Sequence, residues 1–172
     1  MIGPLVYGDG DRRILLLHGI SSNANGWWRL GPDLAAAGFT VVAPDLRAHG
    51  RSPAVTDYSI EAYRDDVLGL GSGWDVVLGH SLGGSIAVVC QATDPGWARS
   101  LVLEDPALVL VSTPEVMQWL LQDYRSPIDI ETIRAAYPEW HPNDVTAKVE
   151  ALRQAGPHVV EPTMQAFEAV DL

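Results

Sequence analysis

Ser81 is the residue best placed for covalent chemistry, because it stands in Gly79-His80-Ser81-Leu82-Gly83, the G-x-S-x-G spacing. In a chain with 16 glycines the pattern alone is weak. Its surroundings strengthen it: the apolar run Asp75-Val76-Val77-Leu78 leads into it, and a stretch rich in Ala and Val follows. A serine on a tight strand-to-helix turn is forced into strained backbone geometry and needs small neighbours to keep the turn free of clashes. Such a turn lifts the hydroxyl above the carboxyl end of a sheet. The helix N-terminus behind it offers unpaired N–H groups and a positive dipole end to a developing oxyanion. The chemistry implied is nucleophilic attack on a carbonyl carbon. The plain alternative is a glycine-rich turn carrying a surface serine.

A second segment, His18-Gly19-Ile20, ends the run Ile14-Leu15-Leu16-Leu17. In a parallel sheet the carboxyl end of this run lies beside that of the Ser81 strand. Gly19 lets the chain turn sharply, so the Ile20 amide can join the Leu82 amide as a two-donor oxyanion hole. His18 itself is expected to be structural.

These residues need a scaffold. Two further apolar runs, Thr40-Val41-Val42-Ala43 and Ser100-Leu101-Val102-Leu103, complete a set of four. Continuous hydrophobicity suits strands covered on both faces, and starts about 25 to 35 residues apart match strand–helix–strand units. Helices are expected over Trp27–Ala37, ended by Gly38; from Ile60 to about Leu70, capped by Ser59; and from Gly83 to about Ala92, stopped by Asp94-Pro95. After Asp105 the pattern becomes helical only: a start at Thr113-Pro114-Glu115, a helix over Asp129–Tyr137, another from near Asn143 to Gly156, and a last one around Met164 and Phe167. The expected fold class is α/β, a mostly parallel sheet with helices on both faces, followed by a helical segment.

The 172 residues suit one compact unit, and 47% hydrophobic content can fill a core. Eleven basic against 22 acidic residues give a net charge of −11, which repels phosphate backbones and anionic lipid and so excludes nucleic acid and membrane surfaces as expected partners. Cys90 is the one cysteine, so no internal disulfide can form. Met1-Ile2-Gly3-Pro4 has no basic stretch before an apolar run, and no apolar run is long enough to span a bilayer. A cytoplasmic protein is the expectation. No cluster has metal-ligand spacing, and no cofactor is expected. No G-x-G-x-x-G or G-x-x-x-x-G-K-[ST] follows a strand, which counts against a nucleotide-binding domain.

The segments ILLLHGISSNANGW, VVAPDLRAHGRS, WDVVLGHSLGGSIA and LVLEDPAL closely resemble the α/β-hydrolase superfamily, particularly its small esterase-like members with a cap. The resemblance covers roughly residues 5 to 110. It implies an α/β-hydrolase core over 1–107 and a helical cap over 108–172. It implies a serine hydrolase that cleaves an ester or related acyl bond of a small-molecule substrate through an acyl-enzyme on Ser81. The fold hosts many chemistries, so the acyl group is not specified. Asp45-Leu46-Arg47-Ala48-His49-Gly50-Arg51-Ser52 matches the family's loop after its second central strand, with local charge pairing as the expected role. Asp105 matches an early position that some members use for the acid that orients the catalytic histidine, the other roles being pocket lining or a turn cap. Glu104 should point the other way.

The family places its catalytic histidine after the final strand, and after Asp105 this sequence has only His141 and His158, both in the helical segment. The chain ends at Asp171-Leu172, near where the family returns to the sheet. Two strand–helix units are therefore expected to be missing, which leaves the strand at Ser100–Leu103 as an open edge. A truncated hydrolase, a complementing second chain that brings the histidine, and a homodimer through that edge are the competing explanations. A non-catalytic binding module is the rival reading of function. Trp27, Trp28, Met117, Trp119 and Leu120 are candidates either for an apolar acyl pocket or for ordinary packing.

Overall fold

The four apolar runs form four parallel strands in the computed structural model, which describes residues 3–108 and 113–168. Met1-Ile2 and Asp171-Leu172 lie outside that range. A short first strand, β1 (Leu5–Tyr7), precedes β2 (Arg12–Leu17), β3 (Phe39–Ala43), β4 (Val76–His80) and β5 (Leu101–Glu104). The order across the sheet is β1-β3-β2-β4-β5, with β1 antiparallel to β3 and every other pair parallel. β1 has no counterpart in the sequence reading: three residues, one of them the exposed Val6, are too few to show a period.

Strand alternation divides the core into two layers. Leu15, Leu17 and Val77 face α2 (Ile60–Leu68) and α3 (Leu82–Thr93), packing with Tyr63, Val67, Ile86 and Cys90. Ile14, Leu16, Val41 and Ala43 face the opposite side, against Leu30 and Leu34 of α1 (Leu30–Ala36). The expected helix over Trp27–Ala37 is instead a 3₁₀ turn at Ala24–Trp27 followed by α1. The Asn23 side chain accepts from the Asn25 amide and starts the turn early, and Trp28 N–H bonds to Asn25 O in the tighter 3₁₀ register. Gly38 ends α1 with φ +86°, its amide bonded to Ala35 O, as expected of a left-handed cap. Ser59 caps α2 through the Ala62 amide at 3.3 Å.

Beyond β5 lie α4 (Pro114–Leu120), α5 (Ile130–Ala136), α6 (Pro142–Gln154) and α7 (Pro157–Glu168). Thr113 and Asp129 cap α4 and α5, and His141 caps α6 in a reciprocal box with Asp144. α5 and α6 bury Ile133, Val145, Val149 and Leu152 together. α7 joins the main core instead. Phe167 lies edge-on to Tyr63 at 5.8 Å between ring centroids, and Tyr63 Oη is 3.0 Å from Thr163 Oγ1. Burying Phe167 contributes about 1.5–3 kcal/mol to holding α7 on the sheet. No helix among the described residues is long and apolar enough to cross a membrane.

Candidate active site

Ser81 has φ +49° and ψ −116°, a conformation that costs a non-glycine residue on the order of 1–3 kcal/mol. It occupies the N-cap position of α3, yet its side chain makes no capping bond, so the hydroxyl is left for other use. The backbone is held on both sides: Ser81 N–H donates to Glu104 O at 2.9 Å, and Ser81 O accepts from the Gly84 amide at 2.9 Å and the Ser85 amide at 3.2 Å. The flanking glycines are required by space. A Cβ at Gly79 would stand 2.5 Å from Gly83 O. One at Gly83 would stand 2.6 Å from the Leu17 carbonyl carbon and 2.8 Å from His18 O, and nearer still to Leu17 O. The start of α3 is thus pressed backbone-to-backbone against the end of β2.

That contact brings the His18-Gly19-Ile20 turn beside the serine. A Cβ at Gly19 would lie 3.3 Å from Ser81 Cβ and 2.8 Å from His80 Nδ1. Ile20 and Leu82 both line the cavity that holds Ser81. Among the described residues neither amide donates to another backbone group, and Leu82 N–H is one of the unpaired donors at a helix start. Ser21, next in the turn, has φ +57° and is fixed from far along the chain by Tyr124, whose hydroxyl lies 3.1 Å from Ser21 Oγ and 3.2 Å from Ala155 O. A carbonyl can only accept, so the phenol donates to Ala155 O and Ser21 donates to the phenol.

The cavity around Ser81 has a volume of about 180 Å³ and is mostly apolar, with Val116, Trp119, Leu120, Met164 and Phe167 among its walls. Of the five pocket candidates only Trp119 and Leu120 reach it. Trp28 instead donates to Asp144 Oδ1 at 2.8 Å, and Trp27 packs with the α1 layer. Val116, Trp119 and Leu120 follow i, i+3, i+4 spacing, a stripe that was readable. Thr163 and Met164 reach the cavity only because α7 folds back onto the core, which no local pattern encodes.

Asp105 follows β5, has φ +44° and lines the same cavity as Ser81. The link is direct, since the Glu104 carbonyl accepts the Ser81 amide. Buried Ser85 donates to Ala107 O at 2.7 Å and pins the turn that carries Asp105 over α3. Ser85 was missed in the sequence, although its position one helical turn beyond Ser81 places both on one face. Glu104 lines a different cavity, with His18 and His80.

No histidine borders the Ser81 cavity among the described residues. His18 is buried: Nε2 accepts from the Leu46 amide at 3.0 Å, so Nδ1 carries the proton and donates to Gly19 O at 2.8 Å. Burial, with His49 nearby, pushes its pKa down to about 3. His49 is likewise buried, donates from Nδ1 to Arg47 O, and is lowered by burial to about 4. Both are neutral structural groups. His141 caps α6 and stacks on Trp28, and His158 is exposed on α7. The loop from Asp45 to Ser52 pairs charge locally. Asp45 accepts from the Ala24 amide and from the Arg51 amide and guanidinium, and Arg47 meets Asp66 at 2.9 Å. Burial alone would raise the Asp45 pKa, but these donors bring it below the usual value.

Comparison with known proteins identifies the family and the fold. A family model described as alpha/beta hydrolase fold matches residues 12–151. Lipase LipV of Mycobacterium tuberculosis is 36% identical over 134 residues, covering 73% of this chain and 51% of the lipase. The pimeloyl-[acyl-carrier protein] methyl ester esterase of Klebsiella pneumoniae is 38% identical over 95 residues, 55% of this chain and 37% of that protein. Among solved structures, an N-formylmaleamic acid deformylase from Pseudomonas putida superposes with a TM-score of 0.79 at 26% identity, covering 95% of this chain and 68% of that one. The chain spans about half the length of the lipase.

Proposed function

Because the chain belongs to the α/β-hydrolase fold family, we propose that it is the Ser81-bearing part of a serine hydrolase that cleaves an ester or related acyl bond. The observation that carries this reading is the uncapped hydroxyl at φ +49°, held at a helix start inside an apolar cavity. Ser81 Oγ attacks the carbonyl carbon while its proton passes to a base. The amides of Ile20 and Leu82 hold the oxyanion, a role in which loss of one donor costs about 3 kcal/mol. Collapse expels the alcohol, which takes up the proton, and leaves an acyl-enzyme that water then cleaves. Asp105 is assigned as the carboxylate that orients a histidine base brought to the cavity by a complementing segment or chain. We divide the chain into a hydrolase core over 1–107 and a cap segment over 108–172, whose last helix, α7, packs back on the core. The buried Cys90 fits a reducing compartment, and the cytoplasm is proposed.

One observation favours a second reading, a binding module that turns over substrate only with a complementing chain or further segment: no histidine borders the cavity among the described residues. The outer edge of β5, with Val102 47% exposed, is where such a chain or a second copy would add. Hydrolysis of p-nitrophenyl acetate and butyrate separates the two. Turnover abolished by Ser81→Ala supports the enzyme. A folded protein that binds the esters without turnover supports the module. Turnover unchanged by Ser81→Ala overturns both the nucleophile and the mechanism.

A further inference from the structure

A second cavity, of about 370 Å³, opens beside the turn that carries Ile20. Ile20 is common to both cavities, and consecutive residues of the elbow divide between them: Ser81 in the apolar one, His80 in the second. An ester whose carbonyl sits between Ser81 and the Ile20 amide can extend one half into each, in chemically different surroundings.

The second cavity is rich in hydrogen-bonding groups with capacity left over. Ser21 and Ser22 line it from the oxyanion turn; the Ser21 hydroxyl is engaged with Tyr124, and the Ser22 hydroxyl makes no hydrogen bond among the described residues. Asp144 and Lys148, four residues apart on α6, present their heads from one helix face. Lys148 Nζ lies 3.0 Å from Asp123 Oδ2, which uses one of its three protons. Asp144 accepts one bond on each oxygen, from Trp28 Nε1 and from the His141 amide, and each oxygen can accept another. Trp140 closes the rim, stacked on Tyr137 at 4.1 Å.

The charge balance decides what fits. Two carboxylates, Asp123 and Asp144, flank a single ammonium, so a substrate carboxylate would meet net negative charge. A plain alkyl group would strip water from these groups and return no hydrogen bonds. We infer that this cavity is the leaving-group subsite and that it takes a neutral, hydroxyl-bearing alcohol. The inference rests on Ser81 as nucleophile.

Three butyrate esters with three-carbon alcohols test it on the full chain: 1-monobutyrin, propyl butyrate and the ester of 3-hydroxypropanoate. The acyl half is identical in all three, so kcat/KM ratios report the leaving-group side and are insensitive to the fraction of folded protein. Two added hydroxyl contacts predict a preference for monobutyrin over propyl butyrate of about tenfold or more. The carboxylate ester should be the poorest of the three. In Ser22→Ala and Lys148→Met the monobutyrin-to-propyl ratio should fall toward one. Ser22→Ala removes only a hydroxyl and guards against a folding defect in the lysine variant. Equal or better use of propyl butyrate, or preference for the carboxylate ester, overturns this subsite while leaving Ser81 intact. Hydrolysis that survives Ser81→Ala, or no hydrolysis of any of the three esters, overturns the subsite together with the nucleophile.

Discussion

Gly83→Ala tests the backbone contact on which the site is built. The new methyl would sit 2.6 Å from the Leu17 carbonyl carbon, about 0.9 Å short of the roughly 3.5 Å carbon–carbon optimum. Every atom it meets there is main chain at the end of β2, so no rotamer change relieves the overlap. The start of α3 must retreat from the His18-Gly19-Ile20 turn, separating the Leu82 amide from the Ile20 amide by a similar distance. Overpacking of this kind costs about 1–3 kcal/mol, offset by about 1 kcal/mol from replacing a helical glycine with alanine. A net loss of about 1 kcal/mol lowers Tm by roughly 2–4 °C in a chain of this size. Catalysis should suffer far more, since misplacement by about 1 Å can cost on the order of a hundredfold. Thermal unfolding and p-nitrophenyl butyrate kinetics on the same preparation measure both effects. A variant with raised Tm and undiminished kcat/KM would show that helix propensity outweighs the contact and that the two amides do not depend on it.

Other perturbations reach the site from further away. Tyr124→Phe removes the phenol that bridges Ser21 and Ala155; kcat should fall several-fold with KM little changed, and urea unfolding should show a loss of about 1 kcal/mol. Ser85→Ala removes the donor to the part-buried Ala107 carbonyl, costing about 1 kcal/mol in the same assay, and loosens the turn that carries Asp105. Acid should destabilise the protein well before its carboxylates titrate. His18 and His49 have folded pKa values of about 3 and 4, below the ordinary 6.5, so between those values the unfolded chain binds more protons. The stability they confer is complete above about pH 6.5 and is lost as pH falls, at up to about 3 kcal/mol per pH unit for the pair. Denaturant midpoints that stay flat from pH 7 to 5 would contradict their neutral burial.

Much of this arrangement was legible in the residues. The four apolar runs gave the parallel strands because strands covered on both faces carry no polar alternation, and Gly79 and Gly83 flanked the serine as its turn requires. Ser59 marked one helix start as its cap and Pro114 marked another as its first residue, while Thr113 and Asp129 prove to cap α4 and α5 through local side-chain acceptors. What escaped was set by tertiary contact. The expected Trp27–Ala37 helix split because Asp45 and Asn23 capture the Ala24 and Asn25 amides and start a 3₁₀ turn ahead of Trp27. Thr163 and Met164 reach the cavity only through the docking of Phe167 beside Tyr63, and Tyr124 meets Ser21 across 103 positions of sequence. Separations of that kind leave no period to read.

Peptide mapping after exposure to a fluorophosphonate is the most direct measurement of the central claim, that the strained hydroxyl at the start of α3 is a nucleophile. The predicted result is a single phosphonyl adduct on Ser81, formed in the native protein and absent after urea unfolding. An adduct on another serine, or labelling at the same rate in both states, would contradict it.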